Sequence, residues 1–201
     1  TVSFNRGYYF HLKTDLLFYN DFLDNHCISN ELYHDYDCLN QAVIDRYHLN
    51  IPSEIRPFLG FSKQNPQILH EDELFLFIDF VGNLALEELP QPGEITYQLG
   101  RLQYEEYIKI DCGKKENALE RAGYYFKRAA HLEHLEAMLL LAKLYTHHGY
   151  CWEDTDLDCG APNPFVWNTD KAKLQAERWL KKAVEKGSAK AMYMLGKLYT
   201  G

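Results

Sequence analysis

The strongest constraint on the fold of this chain is an internal repeat near its carboxyl end. The last eleven residues, AMYMLGKLYTG, match AMLLLAKLYTH, which begins at Ala137, in seven of eleven positions at a spacing of 54 residues. A more divergent copy, ITYQLGRLQYE, begins at Ile95, which lies 42 residues before Ala137. Repeated units stack on their neighbours, so the repetition predicts an array of equivalent elements.

Each copy has the apolar periodicity of a pair of helices. The first helices carry one stripe with a period of 3.6 residues, made by Ala137, Leu141, Leu144 and Tyr145, and by Ala191, Leu195, Leu198 and Tyr199. The second helices alternate small and large residues, namely Ala122, Tyr125, Ala129 and Ala130, and Ala176, Trp179, Ala183 and Val184. Gly187 is a predicted C-terminal cap, and the short connection after it predicts antiparallel packing of the two helices.

The last copy, A-x-x-x-L-G-x-L-Y-x-G, resembles the Sel-one-like repeat family, a relative of the tetratricopeptide repeats. The matching residues are Ala191, Leu195, Gly196, Leu198, Tyr199 and Gly201, with Asp170, Ala172, Ala176, Trp179, Lys182, Ala183 and Gly187 before them. The resemblance covers residues 94–201 and implies a right-handed α-α solenoid. The chain departs from the family pattern at Gln103, Ala142 and Glu133, where the family has Tyr, Gly and Gly. Because solenoids need polar caps, we expect a capping helix or further repeats after Gly201.

A long insertion loop is predicted at residues 147–169, because the 54-residue spacing exceeds a repeat of about 36 residues by about 18. Its aromatic and acidic residues are the predicted partner-binding site: Tyr150, Trp152, Asp154, Asp156, Asp158, Phe165 and Trp167. Aromatic anchors are enriched at the energetic centres of protein interfaces. The alternative, that these rings cover the solenoid's own core, stays open.

Metal binding by the insertion is a weaker interpretation. A zinc site would use His147, Cys151 and Cys159, but their spacing fits no closed set of four ligands. A calcium loop starting at Asp154 would need glycine where Cys159 stands and glutamate where Phe165 stands. We therefore predict no metal and no cofactor. His131 and His134, near a helix end, are predicted to be surface residues.

Residues 1–93 show no repeat and are predicted to form an acidic, mainly helical N-terminal domain. They contain 5 Lys and Arg against 14 Asp and Glu, a net charge of -9, whereas residues 94–201 contain 16 against 15, a net of +1. The acidic half disfavours nucleic acid and suits a basic protein surface, although solubility alone also explains it. No apolar run is long enough for a membrane span.

Turn and cap signals divide this first half into candidate helices. Ser29 and Asn30 are N-cap candidates for a helix whose stripe is Leu32, Tyr36, Leu39, Val43 and Tyr47. A short helix is predicted from Pro52 to Leu59 and a longer one from Glu71 to Leu89, ended by the run Pro-Gln-Pro-Gly that closes at Gly93. The opening segment fits either strand or helix, and we favour helix.

The sequence favours a binding function over catalysis. It lacks G-x-S-x-G, H-E-x-x-H and a glycine-rich phosphate loop, and its five cysteines follow no disulfide framework. The family resemblance implies a bacterial adaptor, or an immunity protein that neutralises a toxic effector with a basic surface. The alternatives are an envelope or regulatory scaffold, and a β-lactam-binding hydrolase of the cysteine-rich repeat type, whose regular cysteine pairs this chain lacks. The compartment, periplasm or cytoplasm, stays open.

Overall fold

The computed structural model describes residues 2–23, 30–84, 89–109, 115–148, 150–152, 165–167 and 169–200. The chain forms two compact units, Thr1–Glu88 and Leu89–Gly201. The α-helices are α1 (Val2–Leu17), α2 (Asn30–Tyr47), α3 (Glu71–Asn83), α4 (Glu94–Lys109), α5 (Lys115–His131), α6 (Leu135–His148), α7 (Thr169–Glu185) and α8 (Ala189–Thr200). Two short strands, β1 (Tyr150–Trp152) and β2 (Phe165–Trp167), lie between α6 and α7. The prediction of a mainly α-helical chain is confirmed.

An aromatic cluster forms the core of the first unit. Helix α1 continues into a π-helical turn, Phe18–Phe22, so the opening segment is helical, as favoured. The rings of Phe18 and Phe22 lie 5.2 and 4.8 Å, centroid to centroid, from Phe77 of α3. All three rings are buried, and they join the first and third helices of the unit.

A single carboxylate fixes the segment that enters α3. Asp35 of α2 is fully buried and accepts hydrogen bonds from the backbone N–H groups of Gln67, Ile68 and Leu69, at 2.7, 2.6 and 2.8 Å. Charged acceptors make stronger hydrogen bonds than neutral ones. Asp35 therefore fixes the path of a segment that has no helix or strand of its own.

Helix boundaries in this unit differ from two predictions. Helix α3 ends at Asn83 rather than Leu89, because Leu84 has an extended backbone and the Asn83 side chain donates to the carbonyl of Asp79, satisfying a helix-end acceptor. The predicted helix from Pro52 to Leu59 is a turn followed by one 3-10 turn, Arg56–Phe58. Helix α2 begins at Asn30, as its capping signal predicted.

The second unit is a succession of packed helices. Each of the helices α4 to α7 packs against the next helix along the chain, an arrangement consistent with a helical repeat. Helices α5 and α7 begin and end 54 residues apart, at Lys115 and Thr169 and at His131 and Glu185. Ala137 and Ala191, where the two clear copies begin, are both helical and fully buried in one hydrophobic core. The predicted equivalence of these two stretches is confirmed at the level of the helices.

The turns between paired helices are equivalent in their hydrogen bonds. His134 N donates to Ala129 O and Glu133 N to Ala130 O, and the same bonds run from Ser188 N to Ala183 O and from Gly187 N to Val184 O. This pair of bonds closes a Schellman motif, in which the residue before the last is left-handed. Gly187 has φ +84°, as its predicted role as a cap requires, and Glu133 has φ +67° although it carries a side chain. The turn is therefore retained where the family glycine is absent.

The following helix begins with an equivalent cap in both copies. The N–H of Ala137 donates to Nδ1 of His134 at 3.2 Å, and the N–H of Ala191 donates to Oγ of Ser188 at 3.2 Å. Each cap satisfies a backbone donor in the first turn of its helix. Two different side chains thus perform one structural task, 54 residues apart.

Close packing of α4 on α5 depends on a glycine. A Cβ added at Gly100 would lie 2.7 Å from two ring carbons of Phe126, a ring that is fully buried. At the aligned position in the last copy, a Cβ added at Gly196 would meet nothing within 4 Å. The same residue type therefore meets a crowded neighbour in one copy and open space in another.

Candidate functional site

A groove with a volume of about 570 Å³ lies among α6, α7 and α8. Its size falls within the range of roughly 300 to 1,000 Å³ that is typical of ligand pockets. It is lined by Lys143, Tyr145, Thr146, His147, Lys173, Leu180, Tyr193, Met194, Lys197 and Leu198. Helices α6 and α8 are the first helices of their copies, and α7 lies between them in the chain.

The floor of the groove is apolar. Tyr145 of α6 and Leu180 of α7 are each 1% exposed, and Met194 and Leu198 of α8 are half-buried. An apolar floor gains free energy when an apolar side chain displaces water from it, by roughly 25 cal/mol for each Å² buried. The groove can therefore hold an apolar side chain of a ligand.

The rim of the groove is basic. Lys143, Lys173 and Lys197 come from three different helices, all three are exposed, and His147 adds a further charge when it is protonated. The Lys197 ammonium lies 5.1 Å from the ring centroid of Tyr193, within cation–π distance. None of the described residues that line it is Asp or Glu. The groove consequently presents positive charge around an apolar floor.

Glu177, the carboxylate four residues after the rim lysine Lys173 on α7, has other partners. Glu177 accepts from Lys181 at 2.7 Å and from the Tyr199 hydroxyl at 2.5 Å. These two hydrogen bonds hold the pKa of Glu177 below its ordinary value, so the carboxylate stays charged. It interacts with Lys173 only through the longer-range charge attraction. The lysine ammonium is thus left accessible to a ligand.

Four of the predicted site residues are brought together by a two-stranded ribbon. Strands β1 and β2 are antiparallel, with Tyr150 opposite Trp167 and Trp152 opposite Phe165. Strand β1 lies against both α6 and α7. The other predicted residues, Asp154, Asp156 and Asp158, lie outside the described residues.

The predicted insertion loop of residues 147–169 is wrong at both of its ends. Helix α6 extends to His148, and the chain on each side of the insertion forms a strand. The two segments, Tyr-Cys-Trp and Phe-Val-Trp, are rich in residues that favour strands, but strand preference is expressed only when a partner strand is present. That partner is 15 positions away along the chain, counting from Tyr150 to Phe165, and no local pattern announces it.

The basic rim was missed by sequence reasoning, although the repeat contained part of its signal. Aligning the three copies places Arg101, Lys143 and Lys197 at one position of the first helix, 42 and 54 residues apart. The third lysine, Lys173, aligns with the buried Leu119 of the earlier copy. Only the packing of α7 beside α6 and α8 brings it to the rim.

A buried polar cluster joins the start of α4 to the start of α6. His134 is 1% exposed, so the prediction that it is a surface residue is wrong. Its Nε2 lies 2.9 Å from Oε2 of Glu94, and the ring of Tyr97 stacks on its ring at a centroid distance of 4.4 Å. Nδ1 of the same ring accepts from Ala137 N–H, and Nε2 also lies 2.8 Å from the side-chain nitrogen of Gln91. The pKa of Glu94 would rise from burial alone, but hydrogen bonds from His134 and two glutamines lower it overall. This cluster stabilises the helix starts.

Other chemistry in the described residues is sparse. The Cys38 sulfur lies 3.4 Å from Nε2 of His34 on α2, and within the described part of the chain neither side chain has a further hydrogen bond that would orient it. Among these same residues no three His, Cys, Asp or Glu side chains converge to hold a metal. No described helix is long and apolar enough to cross a membrane.

The fold and the groove together define a helical protein with successive packed helix pairs and a basic-rimmed, apolar-floored cleft. No family model, curated protein or solved structure matches the chain.

Proposed function

We propose that this chain is a non-enzymatic protein-binding module in which residues 94–201 form a right-handed α-α solenoid of Sel-one-like repeats. The observation that carries the proposal is the groove among α6, α7 and α8, which opens on the repeat helices themselves. Support for the repeat comes from the paired Schellman turns and N-caps, which recur at the 54-residue spacing of the sequence. Repeat arrays commonly use such concave surfaces to bind partners.

The arrangement of groove and ribbon favours a partner of protein size. The groove offers an apolar floor with a charged rim. Strand β1, part of the ribbon that contains Tyr150, Trp152, Phe165 and Trp167, lies against α6 and α7, two of the groove's three helices. Interfaces combine a few desolvated aromatic anchors with polar residues around them. A protein that spans both surfaces would gain both kinds of contact.

The biological role in the proposal is that of a bacterial immunity protein or adaptor, which follows from the family resemblance alone. The acidic first unit remains a predicted contact for a basic surface of the partner, and it raises the association rate through opposite charge. Scaffolding and β-lactam hydrolysis are the rival functions, and no contact among the described residues favours either.

Co-expression with the protein encoded beside this one tests the proposal. The expected result is a complex that survives size-exclusion chromatography, with protection of the host if the neighbour is toxic. Trp167→Ala and Lys143→Glu should each weaken the complex about tenfold or more, whereas Lys109→Ala, at an exposed position of α4 outside the groove, should leave it unchanged. Absence of both complex and protection would remove the proposal, and turnover of a chromogenic β-lactam would replace it with the hydrolase.

A further inference from the structure

We infer that the groove among α6, α7 and α8 binds a short acidic peptide segment of the partner protein, with an apolar side chain between its carboxylates. This inference rests on the proposed function and names the ligand of the same site. The acidic first half of the chain predicts a basic surface on the partner. The groove itself is basic, so it selects an acidic segment of the partner instead.

Charge complementarity is the first step of the argument. Lys143, Lys173 and Lys197 lie around one opening, and no carboxylate of the described residues lines it. Within the described residues none of the three ammonium groups has an ion pair, although Lys197 contacts the ring of Tyr193. Like charges gathered at one cleft repel one another, and an anionic ligand relieves that repulsion. A carboxylate-bearing segment therefore fits the rim.

The floor distinguishes a peptide from other anions. It is formed by Leu180, Met194, Leu198 and the buried ring of Tyr145, which together suit an aliphatic or aromatic side chain. Sites for single-stranded nucleic acid instead combine long basic tracks with exposed stacking rings. Sites for phosphate favour the forked guanidinium of arginine, and the described residues of this rim include no arginine. An extended peptide alternates its side chains and so supplies both kinds of group.

A fluorescein-labelled peptide of alternating glutamate and leucine is the probe, titrated with the whole chain and followed by fluorescence anisotropy. Matched peptides replace leucine with serine, or glutamate with lysine, and inorganic phosphate and a short oligothymidylate serve as competitors. We expect saturable binding of the glutamate–leucine peptide that weakens as salt is raised, because the rim charges are exposed and screened. The serine peptide should bind more weakly, and the lysine peptide should not bind.

Two triple variants with the same change in net charge locate the site. Lys143→Gln, Lys173→Gln and Lys197→Gln together should weaken the peptide about tenfold or more. The control, Lys63→Gln, Lys109→Gln and Lys190→Gln, removes three exposed lysines elsewhere and should change affinity less than about twofold. Thermal unfolding by circular dichroism shows that both variants remain folded.

The outcomes separate this inference from the proposed function. Equal loss in both triple variants would mean attraction by net charge alone and would overturn the inference. So would preference for the lysine peptide, no binding of any peptide, or displacement by oligothymidylate at lower concentration than the peptide. If this chain still forms a complex with the protein encoded beside it in any of these cases, the proposed binding function stands and only the acidic-peptide ligand is ruled out. If that complex also fails, both are lost.

Discussion

In the unit Leu89–Gly201 the same contacts recur at a fixed spacing, whereas in Thr1–Glu88 each decisive contact is made once. The turns after α5 and α7 use equivalent backbone bonds, and the buried alanines Ala129 and Ala183 occupy equivalent places. In the first unit, by contrast, one carboxylate fixes a segment more than thirty residues away along the chain. A repeated unit spreads its stability over many small contacts, while the other unit concentrates it in a few.

The largest effect is expected from removing the Asp35 carboxylate. Asp35→Ala leaves three buried or half-buried backbone N–H groups without their acceptor, and we expect a loss of about 3–5 kcal/mol in the free energy of unfolding. Denaturant unfolding measures the loss, and hydrogen exchange at Leu69 shows whether the segment is released. Asp45→Ala, on an exposed face of the same helix, should cost less than about 0.5 kcal/mol. Unchanged exchange at Leu69 would contradict the role of Asp35.

A second test compares two aligned glycines within the repeat. Gly100→Ala places a Cβ 2.7 Å from ring carbons of Phe126, so we expect a loss of about 1–3 kcal/mol. Gly196→Ala meets nothing within 4 Å and should gain about 0.5–1 kcal/mol from helix propensity. Thermal melts of the two variants give the comparison directly. The same sign of change in both variants would mean that the copies are packed alike at this position.

A third test replaces the buried amide side chain of Gln103 in the first copy. Both polar atoms of the Gln103 side chain are buried and have no hydrogen-bond partner among the described residues, at the position that Tyr145 and Tyr199 occupy in the other copies. Gln103→Leu should therefore raise the free energy of unfolding by about 1–2 kcal/mol. Gln98→Leu on the same helix is the control, because it removes a 2.7 Å bond to Glu94 and should destabilise the chain. Destabilisation by Gln103→Leu would mean that the amide is needed where it lies.

The smallest expected effect is a dependence on pH. Because the pKa of Glu94 is lowered in the folded chain, its contribution to stability is complete above the unfolded pKa of about 4.3 and is lost as pH falls through the folded pKa. Between about pH 5 and pH 3 the native chain should lose more stability than Glu94→Gln. Since Glu94 is partly exposed, screening keeps the difference below about 1 kcal/mol. Parallel pH curves for the two proteins would show that the cluster with His134 contributes nothing.

The repeat explains why much of the second unit could be predicted from sequence. Two aligned stretches predict two equivalent helices, and Gly187 marks its turn because glycine tolerates positive φ. Glutamate at position 133 does not indicate a turn in the same way. Its left-handed backbone follows only from the equivalence of its turn with the turn at Gly187. The three positions fixed by Asp35 follow no periodic pattern, so nothing in the sequence connected them to that carboxylate.

The candidate site was predicted only in part, for a related reason. The aromatic residues of the insertion were recognised by type, but their opposition across two strands depends on a pairing that no local preference reveals. Two of the rim lysines lie inside the aligned repeats, yet the third comes from a different helix and has no basic counterpart in the earlier copy. A cleft made by three helices becomes visible only when all three are packed.

The pairing of β1 with β2 has a consequence for how this scaffold can vary. Residues directly opposite in an antiparallel pair lie only about 4.5–5.5 Å apart, so the chain leaves at Tyr150 and returns at Trp167 through almost the same point. Helices α6 and α7 then need to accommodate only the paired strands β1 and β2, whatever the length of the segment that connects the two strands. The segment between β1 and β2 can accordingly be replaced by other recognition segments without a change in the packing of the helices.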